Sequence, residues 1–597
     1  MQGGNVLAST TFTDALGITS VSPTSGSTLG GTSVTITGTS FTTGQAPFAV
    51  TFGGVSATNV TRVDNTHLTC TTPAHAAGTV DVIVQDKNGT ATLTNGFTYN
   101  KFNTTTAVSS NHNPSVWGQS VTFTANVAVV SPGAGTPDGT VQFKVDGVDF
   151  GSAVALVSGS ASSSATTTLS VATHTVSAVY SGSTNYNTST GDLSGGQVVN
   201  KRPTTSSVTV TPNSSQYSDL VTFTATLSPA SVNGYAPATS VTFKVGTQVM
   251  GTVNLTDNGS GILTASLENV PLLEPTPFGT SPTGQMAPGS HTVTAGFNGI
   301  DSTHFIVTNP TTSLTITTED ARVTYSGALF VSTSSATSTS ATVTLRATIQ
   351  DITAVTGDAA YDVFAGDIQN ATVQFIVVEA GKTSPVLPVA LLMTDTKVGT
   401  AAWDVILSVD STGSSQYTVR TIVNNYYTRD SQTDNSIVTV SQPLSNFITG
   451  GGYLVLQNSS GQYPGSAGTK MNFGFNVKFN KNLTNLQGHV NIIIRNGGKT
   501  YQIKSTATDS LVVNVTKGTA MFTSKCTITD ITNPLSPIGL AGGVPLQISM
   551  TDKGEPGKDD TFAVTVWDKS NKLLFSSSWI GGKTVEQTLG GGNLQVH

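Results

Sequence analysis

Hydrophobic and polar residues alternate in short runs along most of this chain, and the runs recur at a fixed spacing. Residues 121–125 read VTFTA and return one hundred residues later at 221–225, while VQFKV at 141–145 returns at the same offset as VTFKV at 241–245. A looser copy follows at 343–347. Alternation turns one side of each strand toward a core, and this period matches the length of one β-sandwich. The pattern therefore predicts an all-β chain of tandem β-sandwiches.

The composition supports ordered β structure and argues against some classes of binding partner. A chain of 597 residues is too long for one hydrophobic core, which predicts about four to six domains. Only 10% of the residues are charged, whereas 37% are hydrophobic and lie in alternating runs that can bury one face. The net charge of −7 argues against a nucleic-acid partner, because phosphate binding needs clustered Lys and Arg. No apolar run is long enough to form a transmembrane segment.

The first module, residues 17–100, carries a specific set of turn and strand motifs. These motifs are ITSVSPTSG at 18–26, GGTSVTITGTSF at 30–41, VTFGG at 50–54 and GFTY at 96–99. On these residues the module resembles an IPT/TIG domain, and the resemblance implies an immunoglobulin-like fold. Pro23 and Gly26 favour a turn, and Val34 and Ile36 alternate toward a core.

Two related modules follow. Residues 101–200 and 201–318 resemble bacterial Ig-like repeats, which occur in tandem on secreted proteins. Each repeat ends in a related strand, HTVSAVY at 174–180 or HTVTAGF at 291–297. The second repeat contains about seventeen additional residues near 271–288, and this insertion is too rich in proline to be a strand.

The last two segments differ from the two repeats in sequence. Residues 319–442 look like a further Ig-like module. Residues 443–597 contain glycine-rich runs such as GGGY at 450–453. This segment resembles a domain that closes many multi-module secreted bacterial proteins, and we expect a β-sandwich or a jelly-roll variant. The linkers between modules are only a few residues long, and such short joints favour a semi-rigid, elongated array.

No motif along the chain predicts catalysis. The sequence contains no G-x-S-x-G elbow, P-loop or G-x-G-x-x-G turn. His174 and His291 hold equivalent strand positions, which indicates a repeated structural role. Cys70 and Cys526 lie in opposite terminal modules, and we expect buried, inert thiols rather than a disulfide. The sequence therefore predicts a protein that is not an enzyme and that needs no cofactor, with calcium as the one candidate ligand.

A loop in the last domain is the candidate calcium site. Residues 552–560 read DKGEPGKDD and place four carboxylates around two glycines and a proline. Ca²⁺ prefers several oxygen ligands from a compact turn. The predicted ligands are Asp552, Glu555, Asp559 and Asp560. The alternative is a solvated hairpin whose carboxylates pair with Lys553 and Lys558.

Two segments are candidate contact surfaces. Residues 1–16 precede the first module and contain strand-prone side chains that could pair with an exposed sheet edge of a neighbouring molecule, namely Val6, Leu7, Thr11 and Phe12. The alternative is that this segment adds to its own module or frays. The Pro-rich insertion supplies the other candidate contacts, Phe278 and Met286, because long loops on a rigid scaffold often carry contacts. Its alternative is a tolerated insertion without a partner.

These observations favour one class of function and leave two alternatives. The leading hypothesis is an extracellular or cell-surface structural or adhesive protein, a self-assembling fibre or layer subunit built from rigid modules. Its partners would be other copies of the chain, or surface proteins and glycans. The first alternative is a monomeric stalk that binds glycans or matrix. The second is a virion decoration or tail-fibre component, which the absence of signal-peptide features at residues 1–5 would suit.

Overall fold

The computed structural model describes residues 15–87, 89–272, 286–443 and 446–597. Within these ranges the chain is almost entirely β structure, which confirms the predicted fold class. The helical segments of this described part are 3-10 turns of three residues each, at Thr43–Gln45, Ile352–Ala354, Ile368–Asn370, Gln432–Asp434 and Val515–Lys517. None of the helices in these ranges has the length and apolar character needed to cross a bilayer.

Module 1 is a sandwich of two sheets, with strand orders β1-β3-β7-β6 and β2-β9-β8-β4-β5. Its strands are β1 Gly17–Ser22, β2 Ser25–Ser27, β3 Ser33–Thr39, β4 Ala49–Phe52, β5 Val55–Ser56, β6 Thr58–Arg62, β7 His67–Thr71, β8 Gly78–Asp86 and β9 Gly89–Asn100. Alternating β-branched and aromatic residues face the space between the sheets, where Val34, Ile36, Phe52 and Phe97 are buried.

Module 2 contains the first copy of the repeated motifs. Its strands are β10 Thr104–Ser110, β11 Ser115–Val116, β12 Phe123–Val129, β13 Thr140–Val145, β14 Val148–Asp149, β15 Val154–Ala155, β16 Ser160–Ser162, β17 Thr173–His174, β18 Val176–Tyr180, β19 Ser189–Asp192 and β20 Gln197–Asn200. The sheets have the orders β10-β12-β16, β11-β20-β17 and β14-β13-β18-β19, and β15 also pairs with β13.

Module 3 contains the second copy. Its strands are β21 Arg202–Pro203, β22 Thr205–Thr211, β23 Ser214–Gln216, β24 Leu220–Ser228, β25 Ser240–Val245, β26 Gln248–Asn254, β27 Thr256–Asp257, β28 Leu263–Pro271, β29 Gly289–Asn298, β30 Phe305–Ile306 and β31 Thr311–Thr317. The two main sheets have the orders β22-β24-β28-β27 and β23-β31-β29-β25-β26. Strand β21 pairs with β30 at the entry to the module.

Module 4 is the looser copy. Its strands are β32 Glu319–Tyr325, β33 Phe330–Ser332, β34 Ser340–Asp351, β35 Ala371–Val377, β36 Lys382–Thr383, β37 Leu387–Pro388, β38 Ala390–Leu391, β39 Val398–Ser408, β40 Ser414–Asn425, β41 Tyr427–Thr428 and β42 Ser436–Ser441. The sheets have the orders β38-β39-β34-β32-β41 and β33-β42-β40-β35-β36, with β37 also paired to β35.

One topological device recurs in all four modules and gives each its immunoglobulin-like character. The first long strand pairs antiparallel with its neighbour in one sheet. The chain then crosses over, and a short strand pairs in parallel with the last strand of the module in the other sheet. These parallel pairs are β2–β9, β11–β20, β23–β31 and β33–β42. The residues just after each short strand therefore lie where the next module begins.

The C-terminal domain consists of one long antiparallel sheet that folds over onto itself and of a separate two-stranded hairpin. Its strands are β43 Phe447–Val455, β44 Lys470–Phe479, β45 Leu486–Asn496, β46 Lys499–Asn514, β47 Thr519–Asp530, β48 Ile538–Thr551, β49 Thr561–Trp567, β50 Leu573–Ser576, β51 Trp579–Ile580, β52 Lys583–Thr584, β53 Gln587–Thr588 and β54 Gly591–Val596. The order runs sequentially from β50 to β43 and ends with β54, as in a meander rather than a jelly roll. Phe473 on β44 stacks on Phe562 on β49 with ring centroids 4.0 Å apart, so the two layers of the resulting sandwich meet in one core.

The modules do not all have separate cores. Module 1, module 2 and the C-terminal domain each bury their own main cluster of apolar side chains. Modules 3 and 4 instead share one continuous cluster, which runs through Tyr217 of module 3 and through Tyr426 and Tyr427 of module 4. We therefore expect modules 3 and 4 to unfold as one cooperative unit.

Candidate functional site

Three of the four carboxylates in the predicted calcium loop hold the last strand of the domain. Asp552 Oδ2 accepts a hydrogen bond from the backbone N–H of Val596 (3.0 Å), and Asp560 Oδ2 accepts one from Leu594 (2.8 Å). Glu555 Oε1 accepts from the side-chain amides of residues 593 and 595, at 2.9 Å each. Strand β54 lies at the end of the sheet order. The loop therefore caps backbone N–H groups that an edge strand would otherwise offer to another chain.

These hydrogen bonds differ from the alternative in which the carboxylates pair with Lys553 and Lys558. Across the described ranges, no group of three or more His, Cys, Asp or Glu side chains is placed to hold a metal ion. Asp559 is exposed. Lys553 contacts Asp560 through its backbone N–H rather than through its ammonium group. Calcium binding at these residues stays a prediction, and the loop has a structural role without it.

The structure describes only one of the residues predicted to form contact surfaces. Val6, Leu7, Thr11, Phe12 and Phe278 lie outside the described residues. Met286 is buried, with 2% of its surface exposed, and it packs into the core of module 3. Its backbone N–H donates to the carbonyl of Leu272 (3.0 Å). The prediction that Met286 forms part of a contact surface is therefore wrong, because its thioether fills an apolar core position.

The histidines at equivalent strand positions do share one contact. His174 Nε2 lies 3.0 Å from the carbonyl oxygen of Ser170, and His291 Nε2 lies 2.7 Å from that of Ala287, in each case four residues upstream. His174 also contacts Asp146 through Nδ1 (2.7 Å). These contacts give both rings a structural role.

The two cysteines are buried and unpaired, as predicted. Burial raises the pKa of each thiol, Cys70 and Cys526, to about 12. Both therefore stay protonated and unreactive at neutral pH.

An aromatic side chain joins modules 2 and 3. Trp117 follows β11 and is 4% exposed. Its ring stacks on His304 at 4.0 Å and meets the edge of Phe305 at 5.4 Å and that of Tyr235 at 5.7 Å, all in module 3. The guanidinium of Arg202, at the start of module 3, donates to the Trp117 carbonyl at 2.9 Å. The joint between modules 2 and 3 therefore consists of the buried Trp117 ring, packed against three rings of module 3.

The same position joins modules 3 and 4. Tyr217 lies one hundred residues after Trp117 and follows β23 in the same way. Its hydroxyl contacts the Tyr427 hydroxyl (3.1 Å) and donates to the Asp367 carbonyl (3.2 Å), and its ring meets Tyr426 and Tyr427 edge to face. The topology explains the repetition, because Trp117 and Tyr217 each follow the short parallel strand that ends beside the start of the next module.

Buried acidic side chains surround this second joint. Glu319 is fully buried, and its Oε2 accepts a hydrogen bond from the Ser218 hydroxyl (2.7 Å). Neither Glu319 Oε1 nor Asp362 Oδ2 has a hydrogen-bond donor among the described residues. Burial, together with nearby Asp362 and Asp351, raises the pKa of Glu319. A carboxyl group in this position is favoured in its neutral form.

Several contacts join module 4 to the C-terminal domain, and two of them lie at separate points of the interface. In the first, the Ser332 backbone N–H donates to the Ser510 hydroxyl (3.1 Å), and the Ser332 hydroxyl accepts from the backbone N–H of Leu511 (3.0 Å). In the second, the buried guanidinium of Arg346 lies 4.3 Å from the ring centre of Trp567 and donates to Asn571 (3.0 Å). Contacts at separate points restrict rotation between the domains more than a single contact would.

A cavity of about 880 Å³ lies beside these contacts, between module 4 and the C-terminal domain. One wall comes from β33, β40 and β42 of module 4, and the facing wall from β46 to β49. The hairpin formed by β51 and β52, with the residues just after it, covers one side through residues 583–586. Exposed residues such as Phe330 and Lys583 are part of the lining, so the cavity opens to solvent.

Sequence reasoning missed the joints, although a signal for one of them was present. The offset of one hundred residues that relates β12 to β24 also aligns Trp117 with Tyr217. An aromatic residue at the same position of two repeats, just before a core strand, indicates a shared task. No comparable signal marks Glu319 or the cavity, because both depend on how successive modules pack.

Comparison with known families agrees with the geometry of the first two modules. Residues 16–99 match the IPT/TIG domain family. Residues 107–198 match the family of bacterial Ig-like domains, group 3. These two matches agree with the resemblances found in the sequence of the first two modules. A search of curated proteins found no match.

Solved structures with similarity to the chain include several proteins of bacterial surfaces. FdeC, an Escherichia coli adhesin, is 15% identical over 56% of this chain and 96% of its own, with a TM-score of 0.24. The Yersinia pseudotuberculosis adhesin InvE is 13% identical over 50% of this chain and 97% of its own, with a TM-score of 0.21. The S-layer protein rSbsC is 14% identical over 88% of this chain and 66% of its own, with a TM-score of 0.16.

Proposed function

We propose that this chain is an extracellular structural protein of a bacterial surface, which acts as a stiff spacer and presents its modules for adhesive contact. The observation that carries the proposal is the joint between modules. At modules 2 and 3 a buried Trp117 fills the joint, and at modules 3 and 4 the equivalent Tyr217 does so. Buried, specific contacts at successive joints favour a fixed spacing over freely moving domains.

The matched families support the same class of function. The matches of residues 16–99 to an IPT/TIG domain and of residues 107–198 to a bacterial Ig-like domain support a structural rather than an enzymatic role. A non-enzymatic role on the cell surface follows as part of the proposal. Self-assembly through residues 1–16 is its finer form, and a monomeric adhesive stalk is the alternative.

Small-angle X-ray scattering of the full chain tests the spacer function. A stiff spacer gives one maximum dimension that does not change with salt, and its pair-distance distribution fits a single conformation. A distribution that requires many inter-module arrangements would contradict the proposal. Electron microscopy at several concentrations then separates the two forms, since a subunit forms regular filaments or layers whereas a stalk stays as single particles.

A further inference from the structure

The wall of the cavity that module 4 provides is rich in hydroxyl groups. Strand β42 turns Val438 and Val440 into the core of module 4. Because side chains alternate along a strand, Thr439 and Ser441 point outward and line the cavity. Ser414 at the start of β40 adds a third hydroxyl. Within the described ranges, none of these three hydroxyls is engaged by another part of the chain, so all three are available to a ligand.

The facing wall continues this polar character. Gln547 and Ser549 lie on β48, and their neighbours Leu546 and Ile548 point into the core of the C-terminal domain. In the ladder, Gln547 is paired with Thr565 on β49, which also lines the cavity. The side chains of Gln547 and Ser549 form no hydrogen bonds with the described residues. This wall therefore offers an amide and hydroxyls, which can donate and accept hydrogen bonds.

Charge contributes little to the lining. The charged lining residues are Lys517, Lys583 and Glu586. Glu586 Oε2 is already an acceptor for the Thr551 hydroxyl at 2.9 Å. Lys517 and Lys583 are exposed, so their ammonium groups remain solvated. A strongly charged ligand would need paired charges inside the cavity, and the inner surface instead consists of neutral groups.

The walls also argue against a lipid or a peptide. A lipid tail needs a continuous apolar lining, whereas here apolar side chains such as Val512 and Met521 are interrupted by hydroxyl and amide side chains on both walls. A peptide that adds as a strand needs a free sheet edge. Strands β47 and β48 are interior strands of their sheet, and β42 has neighbours on both sides, so their backbone groups are already paired. Strand β33 is an end strand, but it has only three residues and the N–H of its Ser332 already donates to Ser510.

Apolar patches complete the lining. Leu329 and Phe330, at the mouth of the cavity, are 38% and 41% exposed. A sugar ring combines hydroxyls with an apolar C–H face, and an exposed aromatic ring can stack against that face. The volume of about 880 Å³ lies within the range of small-ligand sites, which often occur between domains. We infer that the cavity between module 4 and the C-terminal domain binds a neutral oligosaccharide.

This inference deepens the proposed adhesive function and rests on it, because it names the class of ligand. Isothermal titration calorimetry on the full chain tests it with chitotetraose, cellotetraose, xylotetraose and maltotetraose, and with tetragalacturonate as an acidic comparison. We expect at least one neutral tetrasaccharide to bind with a Kd below about 1 mM. The failure of every neutral tetrasaccharide to bind, or binding of the acidic one alone, would overturn the inference.

Substitutions locate the binding site. Ser549→Trp on one wall and Thr439→Trp on the other would fill the cavity, and each should weaken binding at least tenfold. Gln547→Ala, which removes only an amide, should weaken it severalfold without altering the fold. Thr527→Trp is the matched control, since Thr527 lies on β47 outside the cavity. Binding that survives both cavity-filling variants would refute the assignment.

The outcome is separable from that of the proposed function. Scattering by the Ser549→Trp variant measures stiffness independently of sugar binding. A stiff chain that binds no oligosaccharide would overturn the inference and leave the spacer function intact. A flexible chain that binds a neutral oligosaccharide through Ser549 and Thr439 would overturn the spacer function and leave the assignment of the cavity intact.

Discussion

Replacing Glu319 by Gln should stabilise modules 3 and 4 at neutral and alkaline pH. Glu319 is buried at the joint between these modules, where Ser218 donates to one of its oxygens and no described residue donates to the other. Burial and the nearby carboxylates of Asp362 and Asp351 raise its pKa to about 9. The folded protein therefore keeps this side chain protonated at neutral pH, while the unfolded chain ionises it.

The magnitude follows from this difference in pKa. Below pH 4.5, the ordinary value for Glu, both states hold the proton and the group does not affect the pH dependence of stability. As the pH rises above that value, only the unfolded chain releases the proton, so stability falls by about 1.4 kcal/mol per pH unit until the folded pKa is reached. At pH 7 the loss is about 3 kcal/mol.

A glutamine side chain cannot ionise, so the Glu319→Gln variant should differ little from the wild type at pH 4 and gain about 3 kcal/mol at pH 7. Differential scanning calorimetry of the full chain at pH 4, 7 and 8.5 measures the difference, and loss of amide-exchange protection in β24 and β34 assigns the transition. A gain of this size raises Tm by roughly 6–12 °C for a unit of this length. Glu268→Gln is the control, because Glu268 is exposed in module 3. A Glu319→Gln variant that is no more stable than the wild type at pH 8.5 would refute the reasoning.

Three further predictions concern the joints, the loop and the N-terminal segment. Trp117→Ala should lower the stability of the joint between modules 2 and 3 by about 3–5 kcal/mol and broaden the pair-distance distribution from scattering. Val148→Ala is the control, because Val148 is 70% exposed, and it should change neither quantity. A Trp117→Ala variant with an unchanged pair-distance distribution would contradict the stiff joint. If the loop at residues 552–560 binds calcium, adding calcium should raise the Tm of the C-terminal domain and a chelator should lower it, whereas an unchanged Tm would leave Asp552 and Asp560 with only the backbone hydrogen bonds that they accept. Deleting residues 1–15 should abolish any filaments seen by electron microscopy, and filaments that persist would rule out strand exchange through this segment.

The strands and their faces could be predicted from the sequence because their signal is local. The alternation in 121–125 and 221–225 places Phe123 and Phe223 in the cores of their modules, where both are fully buried. The looser copy at 343–347 falls in β34, where Val343 and Leu345 are buried in the same way. In each case, side-chain alternation and the burial of one face determine the outcome without reference to distant residues.

The features that bear on function could not be predicted in this way, because they depend on contacts between modules. The sequence around Trp117 is the same whether its ring packs in the core of its own module or against His304 of the next module, so the sequence does not distinguish the two. Met286 follows a Pro-rich run, yet the core of module 3 has room for its side chain. The hydrogen bonds that Asp552 and Asp560 accept from β54 depend on the return of that strand beside the loop, which the sequence of the loop does not reveal.

The first and last strands of the C-terminal domain lie side by side, and this has a mechanical consequence. Phe447 and His597 exchange backbone hydrogen bonds of 3.0 Å each, so the two ends of the antiparallel pair β43–β54 meet. A pulling force applied between residues 446 and 597 would peel these strands apart one hydrogen bond at a time. The carboxylates of Asp552 and Asp560 hold β54 from its other side, and they would bear that force once the first bonds with β43 had broken.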